Sequence, residues 1–408
     1  MRKLPPLSST IARMKPAVFA ELQARIDRLS ARGLDLVPLQ IGDTHLAPPP
    51  AAQKALTDAS GSDTSLFRYG PTAGLAPLRE AMAARVRAHG VEVDPQSELL
   101  IGNGGTHALF CAARAILDAG DEVLMASPYW PLAPGIFTAC GAVPVEVSLS
   151  QRLYADPSLD AGALFAAAVG PRTKAIYLIS PNNPDGKVLS RTDLERIAAV
   201  AREHDLWVFS DEVYADTLFD REHVSIASLP GMRERTVVLG SLSKSHALAG
   251  CRIGFAVAPE EVVAAGRRVS THTAFNVSVA MQRAALAALS DEAFPRKALS
   301  TYREARDVAA RALEGSPIRF HLAEGATYLL LDFAPAFEAI DRADLARPLL
   351  SLLERAVDRG VLLAPGDAFG EEWANTARLC FTAVPLDRLR VGVDRLLDAF
   401  DALRRDVP

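Results

Sequence analysis

The run Thr236-Val237-Val238-Leu239-Gly240-Ser241-Leu242-Ser243-Lys244-Ser245-His246 is the stretch on which the fold turns. Its first four residues are apolar or β-branched, the pattern of a strand buried in a sheet. The serine-rich residues after them read as a loop leaving the strand's end. A lone loop lysine is ordinarily a solvated surface charge. This one follows an apolar strand, in a chain where only seven of 44 Lys and Arg residues are lysines. Lysine is also the residue an enzyme needs to form a Schiff base with a carbonyl compound.

Three other segments repeat the arrangement. Gly102-Asn103-Gly104-Gly105-Thr106-His107 joins the strand Leu99-Leu100-Ile101 to a helix from Ala108, and small residues there let N–H groups approach a phosphate. A tight turn that needs glycine explains it equally well, and the dinucleotide fingerprint G-x-G-x-x-G is not met. Ser180-Pro181-Asn182-Asn183-Pro184-Asp185-Gly186 follows Ala175 to Ile179, either as a plain turn or as an amide held where open α/β sheets bind ligands. Asp211-Glu212-Val213-Tyr214 follows Leu206 to Phe209, and its carboxylates suit either a cap or a buried cation.

Outward from these junctions, strands such as Val123-Leu124-Met125 alternate with helical patterns at Ala108 to Ala119, Arg191 to His204 and Pro259 to Val269. That rhythm predicts an α/β fold with a mostly parallel sheet between helices. Beyond about Asp291 the texture becomes α+β: a helix through Thr301 to Leu313, strands at Ala326 to Phe333 and Arg378 to Thr382, and a helix over Leu345 to Arg359. The 408 residues exceed one ordinary core, and Pro48-Pro49-Pro50 is a stiff break. The expectation is a large domain over 50–290 and a small α+β domain built from both chain ends, 1–49 and 291–408.

Composition narrows the function. Net charge is −5 and 49% of residues are hydrophobic, so no electrostatic hold on nucleic acid is advertised. Cys111, Cys140, Cys251 and Cys380 are scattered without metal spacing, no apolar run reaches membrane length, and no signal peptide is read. The expected setting is cytoplasmic, without metal, membrane or nucleic-acid partner.

Together the junctions supply a phosphate cradle, an amide, a carboxylate and a lysine, the set pyridoxal 5′-phosphate requires. Here the chain resembles a known family over nearly its full length: the class I/II aminotransferases of the fold-type I pyridoxal-phosphate enzymes. SLSKSHALAGCRIG is similar to the family's S-x-x-K motif with arginine eight residues on, and SDEVY and PNNPDG to its D-x-x-Y and N-P-x-G motifs. The resemblance implies that Lys244 carries the cofactor, while Ser241, Arg252, Gly104, Gly105 and Thr106 hold its phosphate. It puts Asp211 at the pyridine nitrogen, Asn183 and Tyr214 at the ring hydroxyl, and Trp130 of SPYWP against the ring. YGPTAGLAPLREA resembles the segment whose tyrosine, here Tyr69, reaches the neighbouring subunit's phosphate, which implies a homodimer. ARLCF makes Arg378 the clamp on the substrate α-carboxylate, and QIGDTHLAPP makes Gly42 the glycine beside the substrate. A guanidinium suits a clamp because it binds a carboxylate through two parallel hydrogen bonds.

The activity so implied is ping-pong transfer of an amino group from an L-amino acid to a 2-oxo acid. The alternative on the same scaffold is β-elimination or cyclisation of the aminocyclopropane-carboxylate-synthase type. Asp185 stands where the family has Thr or Ser, and His107 reads as structural. No match emerges for a second cation to hold a substrate's side-chain carboxylate, although Arg267, Arg268 and Arg283 lie in the general region.

Overall fold

Runs of β-branched and aliphatic residues become strands, and a computed structural model of the chain describes residues 6–14, 20–59, 64–338 and 347–406. The strands are β1 (Val37–Pro38), β2 (Leu99–Asn103), β3 (Glu122–Ser127), β4 (Val143–Ser148), β5 (Thr173–Ile179) and β6 (Trp207–Asp211). They continue with β7 (Thr236–Ser241), β8 (Ile253–Val257), β9 (Tyr328–Asp332), β10 (Val361–Leu362), β11 (Ala364–Pro365) and β12 (Thr376–Cys380).

Seven of them form one sheet in the order β2-β8-β7-β6-β5-β3-β4. Neighbours from β4 across to β7 are parallel, while β8 runs antiparallel to both β7 and β2. The C-terminal ends of β2, β3, β5, β6 and β7 therefore share one edge with the N-terminal end of β8. Successive side chains point to opposite faces and both faces are covered. Ala175, Tyr177 and Ile179 of β5 pack in one apolar cluster with the helix Gly104–Ile116, and Ile176 and Leu178 in another with the helix Arg191–Glu203. That second helix starts where it does because Ser190 and Asp193 cap each other's backbone N–H groups.

β9, β11 and β12 form a separate antiparallel sheet, and β1 pairs in parallel with β10. A further apolar cluster joins Leu22, Val37 and Leu39 to residues between Ala298 and Leu403. Among the described residues no helix is long and apolar enough to cross a membrane.

Several elements depart from the expected bounds. β9 begins at Tyr328 because Ala326 sits at φ +58°, outside strand geometry. The helix expected over Leu345 to Arg359 runs Pro348–Asp358, with a proline at its first position; residues 345–346 lie outside the described residues. The proline break leads directly into the helix Pro50–Ala59. The strands β4 and β8 were not expected. β4 is an edge strand whose half-buried, mixed residues give no clean alternation, and β8 follows the lysine loop so closely that its direction is not written in its residues.

Candidate active site

The shared sheet edge opens onto a cavity of about 420 Å³. Lys244 leaves the end of β7, and its Nζ donates a hydrogen bond to the main-chain carbonyl of Gly42. Gly42 is required there, because a Cβ would overlap the Tyr328 hydroxyl. Asp211, the last residue of β6, is buried: its Oδ2 accepts from the Tyr177 hydroxyl at 3.0 Å and its Oδ1 from the Val213 N–H at 3.3 Å. No cation is among those partners. Burial in this apolar surrounding pushes its carboxyl up to about 6, against the two hydrogen bonds that favour its charged form.

Glu212 takes the other fate open to a strand-end carboxylate. It points away from the cavity and binds His223 Nε2, Ser210 and Ser225 at 2.7–2.8 Å. Asp185 closes the turn after β5, accepting from Asn182 Nδ2 at 2.8 Å, the Lys187 N–H at 3.1 Å and the Ser150 hydroxyl.

Arg378, on β12, reaches the cavity from the other sheet and is only 6% exposed. Its Nη1 donates to Asn183 Oδ1 at 2.8 Å and its Nη2 to the Gln40 carbonyl at 2.7 Å. The Nε is buried with no partner, and the guanidinium lies over the Tyr328 ring at 4.4 Å. Tyr214 shares a 2.6 Å hydroxyl–hydroxyl hydrogen bond with Tyr328. The cavity thus holds a guanidinium with donors to spare on one side and a buried carboxylate on the other.

A phosphate-sized cradle adjoins them. Gly104 and Gly105 form the first turn of the helix Gly104–Ile116, and the preceding Asn103 makes no side-chain cap, so the helix's N–H groups are left for an outside acceptor. Gly104 has φ +78°, and a Cβ there would come within 2.5 Å of Arg252 Nη2. A Cβ on Gly254 would overlap the Gly105 N–H in the same way. Arg252, itself at φ +55°, stands at the start of β8; the antiparallel course of that strand is what returns it to this edge. Ser241 Oγ accepts from the Ser243 N–H at 3.1 Å and lines the same space.

Gly42, Gly105, Thr106, Trp130, Asn183, Asp211, Tyr214, Ser241, Lys244, Arg252 and Arg378 all line the one cavity. Gly104 adjoins it through Arg252. Tyr69 does not join them: it is 85% exposed, its ring set edge-on to Phe275 at 4.8 Å. His107 is tied to the Asn103 N–H and Thr273, outside the cavity, and Arg283 bonds Ser65. Residues the sequence reading missed include Gln40, Tyr177, Tyr328 and Phe369. Tyr177 and Tyr328 sit inside apolar strands, where a tyrosine reads as core, and nothing local marks them.

The model of the family "Aminotransferase class I and II" matches residues 35–396 of this chain. The aspartate/prephenate aminotransferase of Thermus thermophilus is 34% identical over 372 residues, 89% of this chain and 91% of that one. The chain belongs to the class I and II aminotransferases. An arginine–pyruvate transaminase of Pseudomonas aeruginosa is 33% identical across 85% of this chain and 86% of its own. The structure of Thermus thermophilus aspartate aminotransferase with maleate superposes with a TM-score of 0.86 at 32% identity, covering 97% of this chain and all of that one. The chain is accordingly a fold-type I enzyme and a transaminase. Its relatives are transaminases by name, which does not favour elimination or cyclisation.

A site that holds a buried carboxylate with no cation beside it should lose stability as that carboxylate ionises. Asp211 binds its proton more tightly in the fold than in an unfolded chain, where a carboxyl titrates near 4. The stabilisation is therefore complete below about pH 4 and is lost as pH rises through 6. On the order of 3 kcal/mol should disappear across that window. Asp211→Asn should flatten it, leaving the cofactor-free variant more stable than wild type at neutral pH. Urea denaturation of stripped protein at several pH values checks this, and parallel wild-type and variant curves would refute it.

Proposed function

We propose that this transaminase is pyridoxal-phosphate-dependent and moves an amino group from an L-amino acid to a 2-oxo acid in two half-reactions. The observation that carries the reading is the convergence of Lys244, Asp211, Arg378 and the Gly104–Arg252 cradle on one cavity. These residues fit the group: the cradle has N–H donors and a guanidinium where a Cβ would not fit, and the buried carboxylate has no cation. When bound, pyridoxal phosphate supplies an aldehyde that exchanges amines and an electron sink for the Cα–H electron pair.

The chain's residues do the rest. Gly104, Gly105, Thr106, Ser241 and Arg252 would hold the phosphate, and Trp130 would lie against the ring. Asp211 would keep a proton on the pyridine nitrogen, its buried charge then offset by the cation beside it. Asn183 spends its Oδ1 on Arg378, which leaves its Nδ2 to donate to the ring oxygen, with Tyr214 as the second donor. Arg378 would take the substrate α-carboxylate, with Gly42 beside it, and orient the Cα–H bond. Lys244 Nζ, once released from covalent duty, would move the proton from Cα to the cofactor carbon. The flexible stem that now reaches the Gly42 carbonyl allows that travel.

Tyr69 belongs to the reading as a residue offered to a second copy of the chain, in a homodimer with shared sites. Its exposure, with Phe67 at 81%, suits burial against a partner. Tyr69→Phe should then weaken cofactor affinity by about tenfold, the loss of one hydrogen bond to a charged group. Light scattering that finds a monomer at assay concentrations would remove this role. The four cysteines are free thiols, which suits a reducing, cytoplasmic setting.

The test of the whole reading is visible absorbance of the purified protein with pyridoxal phosphate. A band that bleaches with some amino acids and returns with a 2-oxo acid supports it. Protein that cannot be loaded with the cofactor would end it.

A further inference from the structure

We propose that the side-chain pocket of this site accepts amino acids with uncharged, apolar side chains and discriminates against dicarboxylic and dibasic ones. The inference rests on the transaminase reading above and narrows its substrate class.

The cavity's charges are few and already committed. Among the described residues, only Lys244, Arg252 and Arg378 bring a cation to its wall. Lys244 and Arg252 serve the cofactor's aldehyde and phosphate. Arg378 has Asn183 on one nitrogen and the Gln40 carbonyl on another, leaving its free donors to one carboxylate. An amino acid brings its α-carboxylate to that position, so a second carboxylate would find no further cation among this chain's described wall residues. Among the described residues on the wall the one acid is Asp211, already held by Tyr177 and the Val213 N–H, so no further acid there meets a cationic side chain.

Much of what faces the remaining space is apolar, with Gln40 and Ser243 as polar members of the wall. Ile41, Pro131, Leu132 and Phe369 line it beside Trp130. Ile41 and Leu132, both on that wall, are large aliphatic groups left 52% and 51% exposed. An apolar side chain entering here leaves water and covers those groups, each buried Å² contributing roughly 25 cal/mol. A charged one sheds its hydration without compensation, which in proteins lowers affinity on the order of 10- to 100-fold. The relatives named for aspartate, prephenate and arginine are thus expected to differ from this chain in substrate.

Single-turnover kinetics of the full-length, cofactor-loaded enzyme tests the class. Leucine, methionine and phenylalanine are compared with aspartate, glutamate, arginine and lysine by the bleaching rate of the visible band. The apolar group should exceed both charged groups by about 10- to 100-fold in rate constant over dissociation constant. An acidic or basic amino acid that matches or exceeds leucine overturns the proposal and leaves the transaminase reading intact. Bleaching by none of them defeats the transaminase reading. The pocket is then read without chemistry, by thermal-shift binding of 4-methylpentanoate against maleate, where tighter maleate overturns the substrate class. Leu132→Arg, at an exposed position that costs the fold little, should raise the aspartate-to-leucine ratio at least about tenfold. An unchanged ratio removes Leu132 from the side-chain wall.

Discussion

Lys244→Ala is expected to abolish covalent capture of pyridoxal phosphate and to slow amino-group transfer by about 10⁴-fold or more. Lys244 brings the one side-chain amine among the described residues that line the cavity. Its neighbours cannot substitute: Ser243 and Ser245 carry no amine, and Arg252 does not give up its proton in a protein. The fold should survive, since the side chain's polar partner in this chain is the Gly42 carbonyl. Borohydride reduction followed by intact-mass measurement should add the cofactor to wild type and nothing to the variant. Lys244→Arg keeps the charge without the usable amine and should be as inactive, which separates electrostatics from chemistry. A variant holding a tenth of the wild-type rate would sink the assignment.

Arg378→Ala comes second, with KM for amino and oxo acids rising on the order of 10²- to 10³-fold while bound cofactor is retained. The magnitude follows from losing paired, charge-assisted hydrogen bonds in a buried place. A structural cost accompanies it, because Asn183 Oδ1 and the Gln40 carbonyl each lose their donor, at about 1–3 kcal/mol apiece if left dry. Arg378→Lys keeps a point charge but cannot hold Asn183, Gln40 and a carboxylate at once, so its KM should fall between. Steady-state kinetics with a fluorescence titration of cofactor separates the effects. Unchanged KM in the alanine variant would remove Arg378 from the clamp.

The parts of this molecule legible in sequence are those where a strand ends. An apolar run followed by glycine, serine, asparagine or aspartate marks a sheet edge, and such edges gather in one place in an α/β fold. Hence Asp211, Asn183 and Lys244 could be singled out before any coordinates. Tyr177 could not, because a hydroxyl at one end of a buried ring leaves the hydropathy pattern of β5 untouched. Gln40 was hidden for another reason: its main-chain carbonyl, which has no side-chain signature, meets Arg378. Tyr69 is suggested by resemblance alone, and its place in a single chain is on the surface. The direction of β8 was illegible because apolar residues report burial and not strand polarity.

That reversed strand has a mechanical consequence. Ser241 sits opposite Gly254, and the Leu242 N–H bonds the Ile253 carbonyl at 3.3 Å, so residues 242–252 form a loop stapled at its own base. The amine and the guanidinium are thus two prongs of one clip whose base is set by the pairing of β7 with β8. Transplanting the clip with its two flanking strands would move the amine and the guanidinium together, as a single module.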